Sequence, residues 1–403
     1  MKIVRLIGLV ILLWPAAPAR AQIAAPRESA QIEFGSLSLY PSVQLTDAGI
    51  DENVFNDGSD PKKDVTFTVA SQALAVWRIG LNELMFSSGS DYIWFKTYET
   101  ERSSNMNYAM RFNLSASRFK PYVGAQLTHT RSRPTPEIDT RARRATRAAL
   151  AGTNFELTER TAITASAHWD ETNYDEGEQF RGTDLAERLN NVARTYNAGF
   201  RYSVTPFTTV SVNGGYRNQI FPESHLRDSK YYRVTPRVEF APEAVIRGSF
   251  AAGYEAFVPD DPELDRTHGV VLEGALNWMI ASRTTFDLTV GRNVNYSYLD
   301  SDPYYLQTGA RLTVSQRLIG PFGLQGTAER QHLSYRWRRG VTPTPGLDYR
   351  VDTSDTVSAG VVVQVGRGIA VMVGAERAKR HSSEDAKQNY RRTRLISGVT
   401  IGK

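Results

Sequence analysis

Residues 106–117 read MNYAMRFNLSAS, and this stretch decides the fold because its side chains alternate between apolar and polar. Successive side chains of a β-strand point to opposite faces, so the pattern predicts a strand over 105–118. Phe112 belongs to its apolar face, whereas the neighbours Arg111 and Asn113 belong to its polar face. A strand of this kind separates an apolar environment from a polar one.

The same alternation recurs at 245–256, 286–298 and 304–318. These runs exceed the ~5–6 residues of a common soluble strand and match the ~9–11 residues that cross a bilayer at a tilt. A soluble β-sandwich or propeller also contains alternating strands. However, the Arg, Asn and Asp residues of the second face could not be buried unpaired in a packed core, so a membrane barrel is favoured.

The connections between strands come in two sizes. Eight short turns are predicted at 80–82, 119–121, 158–160, 205–206, 241–243, 281–283, 319–321 and 366–368. Nine longer polar loops are predicted at 56–64, 97–104, 132–141, 171–188, 221–230, 258–267, 299–303, 338–348 and 379–389. Outer-membrane barrels show this asymmetry. The sequence therefore predicts an all-β fold, a transmembrane antiparallel up-and-down β-barrel of about 18 strands with short periplasmic turns and long extracellular loops.

The N-terminus has the features of an export signal. Lys2 and Arg5 precede an apolar stretch over 3–14, and 19–21 reads ARA, which fits a small-residue cleavage site. We expect a cleaved signal peptide at 1–21, a short periplasmic segment at 22–36 and the barrel at 37–403. The expected location is the outer membrane, with its lipid and the barrel assembly machinery as partners.

Composition excludes several classes of function. Without Lys2, Arg5 and Arg20, the Lys and Arg count falls from 48 to 45 against 43 Asp and Glu, so the formal net charge falls from +5 to +2. The mature chain therefore lacks the basic excess that nucleic-acid binding would require. The sequence contains no Cys, which excludes disulfides, Cys-ligated zinc and thiol chemistry.

No catalytic or cofactor motif is evident. The six His residues are scattered without metal-ligand spacing. The pairs His381-Ser382 and His168-Trp169-Asp170 lack a further partner that would make a nucleophile or an acid–base pair. No Gly-rich phosphate loop opens a helix, because no convincing helix is predicted. We expect neither enzymatic activity nor a cofactor or metal.

The inward face, in contrast, is rich in charge. By alternation the lumen receives Arg111, Arg201, Arg217, Arg233, Arg237, Arg247, Arg311 and Arg317, together with Glu239, Glu255, Glu273 and Asp287. These charges could pair across strands and only keep the interior hydrated. Alternatively, the Arg excess could form a track for anions, because a guanidinium presents fixed donors to carboxylate or phosphate.

Two functions from different classes remain open. A channel would pass polar solutes, anions preferentially, and could export an acidic polysaccharide. A sealed structural or adhesive barrel would instead bind a partner through its extracellular loops. An eighteen-stranded barrel is wide enough for an aqueous channel unless loops close it, and the loop at 171–188 is long enough to fold inward.

Two outward-facing features need an explanation. Tyr296 and Tyr304 lie near strand ends, where interfacial aromatic girdles are expected. Arg292 falls in the lipid-facing register of its strand, which a bulge at Gly291 would correct by shifting the register.

The start of the predicted barrel is similar to a known family. Residues 40–43 read YPSV and 51–55 read DENVF, and this resembles the opening strand of the putative β-barrel porin type 2 family. The resemblance implies an outer-membrane barrel without an assigned substrate, with some relatives linked to exopolysaccharide secretion, so polysaccharide export components are possible partners. Only Asp51, Glu52, Asn53 and Phe55 are carried over, and the resemblance implies no catalytic role for them.

Overall fold

A computed structural model describes residues 32–341, 349–366, 368–384 and 386–402. The predicted signal peptide at 1–21 and part of the predicted loop at 338–348 lie outside these residues. The barrel strands, numbered in chain order, are β1 Leu37–Asp51, β2 Asp64–Ile79, β3 Asn82–Phe95, β4 Ser103–Asn113, β5 Phe119–Ser132, β6 Ala142–Glu156, β7 Thr161–Tyr174, β8 Asn191–Thr205, β9 Thr208–Ile220, β10 Ser229–Phe240, β11 Ile246–Pro259, β12 Thr267–Ile280, β13 Thr284–Tyr296, β14 Tyr304–Arg317, β15 Phe322–Arg336, β16 Val351–Gly366, β17 Ile369–Ser382 and β18 Tyr390–Ile401.

Each strand pairs antiparallel with the next, and β18 pairs with β1, so the sheet closes on itself. The predicted closed barrel of eighteen strands is confirmed. Closure allows the strands to satisfy their backbone hydrogen bonds with one another, as a bilayer requires. The fragment Ile32–Phe34 precedes the barrel and forms a hairpin with the first residues of β1.

Tight turns join the strands at one end. Ala281 and Ser282 link β12 to β13 with φ angles of 49° and 56°, the left-handed pair that matches the twist of a hairpin. One predicted turn, at 119–121, is wrong. β4 ends at Asn113 and β5 already begins at Phe119, which pairs with Phe155, so the connection spans 114–118 and the predicted strand over 105–118 is too long.

The opposite end carries the longer loops, and several of them pack together. The loop at 175–190 contains a helix, Leu185–Leu189, whose first amides are capped by the Asp184 side chain. No helix was predicted from the sequence, and this helix corrects that prediction. Leu185 and Leu189 pack with Ile138 of the loop at 133–141. No helix among the described residues is long and apolar enough to cross a membrane.

The seam between β1 and β18 contains an irregularity. Its register runs from Val43–Ile401 to Asp51–Arg394 and shifts between Leu45 and Ala48. Asp47 lies in this bulge with a φ of 53°, which re-aims its side chain. The Asp47 carboxylate then accepts a hydrogen bond from Arg394 at 3.0 Å, across the seam.

A second irregularity lies between β12 and β13. Their register ends at Leu272–Arg292, although β12 extends outward to Thr267 and β13 to Tyr296. The two strands therefore separate over their extracellular ends, while each stays paired with its other neighbour. The barrel wall therefore has a short split between these two strands at its extracellular end.

Candidate functional site: the barrel lumen

Five arginines line one wall of the lumen along β8–β11, and we call them the basic ladder. They share the inward alternation, and the register runs from the loop end to the turn end, with Arg237 and Arg201 in the same row. The members of the ladder are Arg217, Arg233, Arg237, Arg201 and Arg247. All five were predicted from alternation.

The ladder is only partly neutralised. Arg233 donates to Glu255 at 2.8 Å, and Arg237 donates to Glu273 at 3.0 Å. Arg217 donates instead to the neutral Gln219 at 3.0 Å. Among the described residues, Arg201, Arg217 and Arg247 have no ion pair.

The other predicted lumen residues are dispersed. Arg111 donates to Asn113 at 2.8 Å and lies over the ring of Tyr122, with 4.1 Å to its centroid. Asp287 accepts from Asn277, and Glu239 lies opposite Thr209 with its side chain exposed to the lumen. Arg317 is the last residue of β14, at the turn end.

The wall opposite the ladder, formed by β14–β18 and β1, has its charges matched. Arg311 donates to Glu329 at 2.8 Å. Arg394 donates to Glu376 at 2.9 Å as well as to Asp47. Arg392 reaches Asp51 at 2.9 Å, and this pair crosses the seam like that of Arg394 and Asp47. Two of these four pairs, Arg394–Asp47 and Arg392–Asp51, join residues that are far apart in the sequence.

A buried charge cluster closes the loop end of this wall, and sequence analysis missed it. Arg380 of β17 donates to Asp352 of β16 at 2.8 Å and to Asp139 at 2.6 Å. Arg350 donates to Asp352 at 2.7 Å. The loop at 133–141 therefore folds into the lumen and is held there by arginines from the wall. The predicted inward loop was 171–188; its counterpart at 175–190 packs against the 133–141 loop.

Two further carboxyl groups enter this cluster without matching cations. Glu137 is fully buried and lies 3.8 Å from Arg350, and Asp302 lies 3.6 Å from the same guanidinium. Asp352 and Asp139 already balance the two arginines. Burial, opposed by Arg350, raises the pKa of Glu137 to about 7, and burial raises the pKa of Asp302 to about 6.

Beside the cluster, a recess of about 230 Å³ lies at the mouth. Its basic lining residues are Arg133, Arg141, Arg181 and Lys387, and its acidic ones are Asp57, Glu101 and Asp139. Burial lowers the pKa of Arg141 to about 10, which leaves it charged at neutral pH. Arg133 donates to the backbone carbonyls of Asp139 and Val54, and Arg141 donates to that of Glu101, so these arginines also hold the loops of the mouth together.

The family-like motif at 51–55 organises the first extracellular loop. Asp51 accepts from Asn53 N–H at 3.0 Å as well as from Arg392. The Asn53 side chain bonds to both the N–H and the C=O of Asp57. Phe55 packs edge-on against Tyr98, while the Glu52 side chain is exposed. The motif thus joins the seam to the recess.

Two sequence predictions about the outer face are wrong. Tyr296 and Tyr304 do not lie in a lipid-facing girdle, because both pack with Tyr231 and Phe257 next to the split between β12 and β13. No bulge corrects Arg292 either. Its register is regular, and its side chain bonds the Val270 carbonyl at 3.1 Å and Thr308 Oγ1 at 2.9 Å. Arg292 therefore satisfies a backbone acceptor that the split leaves unpaired.

Alternation could have identified Arg380 as inward, since it shares a face with Glu376. It could not have identified Glu137 as an inward residue, because side chains in loops do not alternate with a fixed period.

Among the described residues, no group of three or more His, Asp or Glu side chains could hold a metal ion. The charges of the lumen form ion pairs and donor arrays.

Solved structures of outer-membrane proteins are similar to this chain. The crystal structure of the outer membrane protein OpdK from Pseudomonas aeruginosa shares 11% identity, with 91% of this chain and 99% of that chain covered and a TM-score of 0.47. That of OccK2 (OpdF) from the same organism, in complex with glucuronate, shares 10% identity over 90% and 98%, with a TM-score of 0.50. These likenesses concern the fold alone.

A search of curated proteins returned no match. The profile of the family described as Putative beta-barrel porin 2, in contrast, matches residues 25–403. The match covers the whole barrel, including the motif at 51–55. The chain therefore belongs to the Putative beta-barrel porin 2 family and is a porin-like β-barrel of the outer membrane.

Proposed function

We propose that this barrel is a channel that prefers anionic solutes and that the basic ladder selects them. The observation that carries the proposal is the set of three ladder arginines, Arg201, Arg217 and Arg247, that have no carboxylate partner among the described residues. A guanidinium without a carboxylate keeps its donors available to a passing carboxylate or phosphate.

The path of the solute would begin at the mouth recess. Its four basic and three acidic lining residues leave a net excess of one positive charge, which attracts anions weakly. The solute would then pass along the ladder, where several weak sites in sequence allow both entry and release. An acidic polysaccharide is the polymeric member of this class of solute.

A second candidate is a sealed barrel that binds a partner through its loops. The packing of the loops at 133–141 and 175–190 at the mouth favours it. The two candidates differ in a measurable way, because a sealed barrel conducts no ions.

The test is conductance in planar bilayers under a salt gradient. We expect discrete steps and a reversal potential of the sign that anion preference gives, shifting toward cation preference in the triple variant R201Q/R217Q/R247Q. An acidic polysaccharide such as alginate should interrupt the current, and neutral dextran of equal length should not.

The matched control is the double variant R311Q/E329Q, which removes one balanced pair and leaves the net charge unchanged. Its reversal potential should stay at the wild-type value. Absence of steps would favour the sealed barrel. Cation preference in the wild type, or an unchanged potential in the triple variant, would contradict the role of the ladder.

A further inference from the structure

The outer wall of the barrel is uneven in charge. The outward-facing positions of β1–β4 contain no charged side chain. The outward-facing positions of β13–β18 contain a single acid, Asp355, and six basic residues: Arg292, Arg330, Arg336, Arg377, Lys379 and Arg391. One side of the molecule therefore presents a basic surface outside the lumen.

Strand register aligns the centre of this surface. Arg330 pairs with Asp355, Asp355 with Lys379, and Lys379 with Arg391, so the four lie in one row across β15–β18. Strands are ~4.8 Å apart, so the row spans about 15 Å. Arg377 lies on the same face two residues below Lys379. We call Arg330, Arg377, Lys379 and Arg391 the outer basic patch.

The patch carries a net excess of charge. Arg330 lies 3.6 Å from Asp355, and both side chains are at least half exposed, so this pair is weak. Among the described residues, Arg377, Lys379 and Arg391 have no ion pair. Four cations thus face one carboxylate on the outside of a membrane protein.

Apolar surface begins directly below the patch, toward the turn end. Val357, Val361, Val373 and Leu395 point outward with exposed fractions of 54%, 43%, 60% and 57%. The patch therefore lies where the apolar band ends on the side of the long loops. In an outer-membrane barrel this is the level of the outer-leaflet headgroups.

Three outward cations of β6 and β10 each have a carboxylate nearby. Arg147 lies 3.5 Å from Glu171, and Lys230 lies 2.7 Å from Asp260. Arg143 likewise lies 3.8 Å from Glu178 of a loop. Among the described residues, Arg377, Lys379 and Arg391 of the outer basic patch have no such neighbour.

We propose that the outer basic patch binds the phosphate groups of an anionic, multiply acylated lipid of the outer leaflet. The cations would hold the phosphates, since Lys and Arg near an anionic membrane surface are attracted to it. The apolar positions below would contact the acyl chains. The lipid would bind to one side of the barrel, on β15–β18, and the proposal does not depend on what the lumen transports.

The test is retention of bisphosphorylated lipid A by the full-length barrel, purified in neutral detergent and quantified by mass spectrometry. We expect the triple variant R330Q/K379Q/R391Q to retain lipid A about 100-fold more weakly, because each cation contributes a factor of about five near an anionic surface. Asp355→Asn should strengthen retention about fivefold for the same reason. The two variants change binding in opposite directions, which a folding defect could not produce.

The matched control is R143Q/R147Q/R194Q, three outward cations of β6 and β8, which should leave retention unchanged. Dephosphorylated lipid A should bind the wild type as weakly as bisphosphorylated lipid A binds the triple variant. Equal losses in the two triple variants would overturn the proposal. So would a loss of retained lipid A to millimolar inorganic phosphate, because the site would then be a general anion site.

Discussion

The two walls of the lumen use the same residue type in different ways. On β14–β18 and β1, arginines face carboxylates of neighbouring strands and loops, and these pairs hold the seam and the folded-in loop. On β8–β11, Arg201 and Arg247 point into the lumen without such partners. Inward arginine is therefore structural where carboxylates surround it, and the proposed selection of solutes concerns only the arginines that lack them.

The largest expected effect lies in the matched wall. Arg380→Ala would remove a cation from the buried Asp352 and the part-buried Asp139, and breaking a buried pair costs about 3–5 kcal/mol. Arg201→Gln should change the free energy of unfolding by less than about 0.5 kcal/mol, because it leaves no charge unpaired. Urea unfolding in vesicles, followed by tryptophan fluorescence, measures both. Equal losses would show that the walls do not differ.

A smaller effect tests whether alternation separates lumen from lipid. Met110→Arg places a cation on the lipid face of β4, farther from the turn end, at a cost of about 2–4 kcal/mol near the bilayer midplane. Asn113→Arg, on the lumen face of the same strand, removes only the hydrogen bond from Arg111, worth about 1 kcal/mol. The fraction of heat-modifiable protein after folding into vesicles should differ accordingly. Similar yields would contradict the assigned faces.

The smallest effect concerns the folded-in loop and pH. The pKa of Glu137 is raised from 4.5 to about 7, so the packed loop favours the protonated carboxyl. Packing should be strongest below about pH 4.5 and weaken as the pH rises through 7, with Asp302 contributing in the same direction below about 6. Arg350, Asp352 and Ser297 are the other groups facing Glu137.

Because the chain has no Cys, Thr140→Cys provides a unique site for a spin label on this loop. Label mobility should increase between pH 5 and 8 in the wild-type background. Adding Glu137→Gln should remove most of the increase, since the amide cannot ionise. A pH response that persists unchanged in Glu137→Gln would exclude this carboxyl as its source.

Alternation predicted the strands well because a membrane barrel imposes the same two-residue period on every strand. The inward positions of Arg233 and Glu255 followed from this alternation, and the strand number followed from the loop pattern. The pairing of Arg392 with Asp51 could not be predicted from local sequence. It depends on closure between the first and last strands, which are distant in the chain.

The predictions for loops and for irregular positions also failed, for related reasons. Glu137 lies in a loop, where no period relates sequence to direction. Tyr296 and Tyr304 follow the lipid-facing period, but the split between β12 and β13 allows them to turn inward. Arg292 likewise gains a backbone partner that only the split supplies.

The seam between β1 and β18 also constrains how the barrel assembles. All the remaining pairs of neighbouring strands are hairpins, and a hairpin can form early because its connection is short. The seam pairs the first and last strands of the barrel. The entropic cost of bringing these distant strands together is large until the hairpins between them have formed. Asp47 and Asp51, on one edge, then meet Arg394 and Arg392 on the other. Opposite charges at two free edges favour their pairing with each other over pairing with another chain, and this gives the last step of assembly its direction.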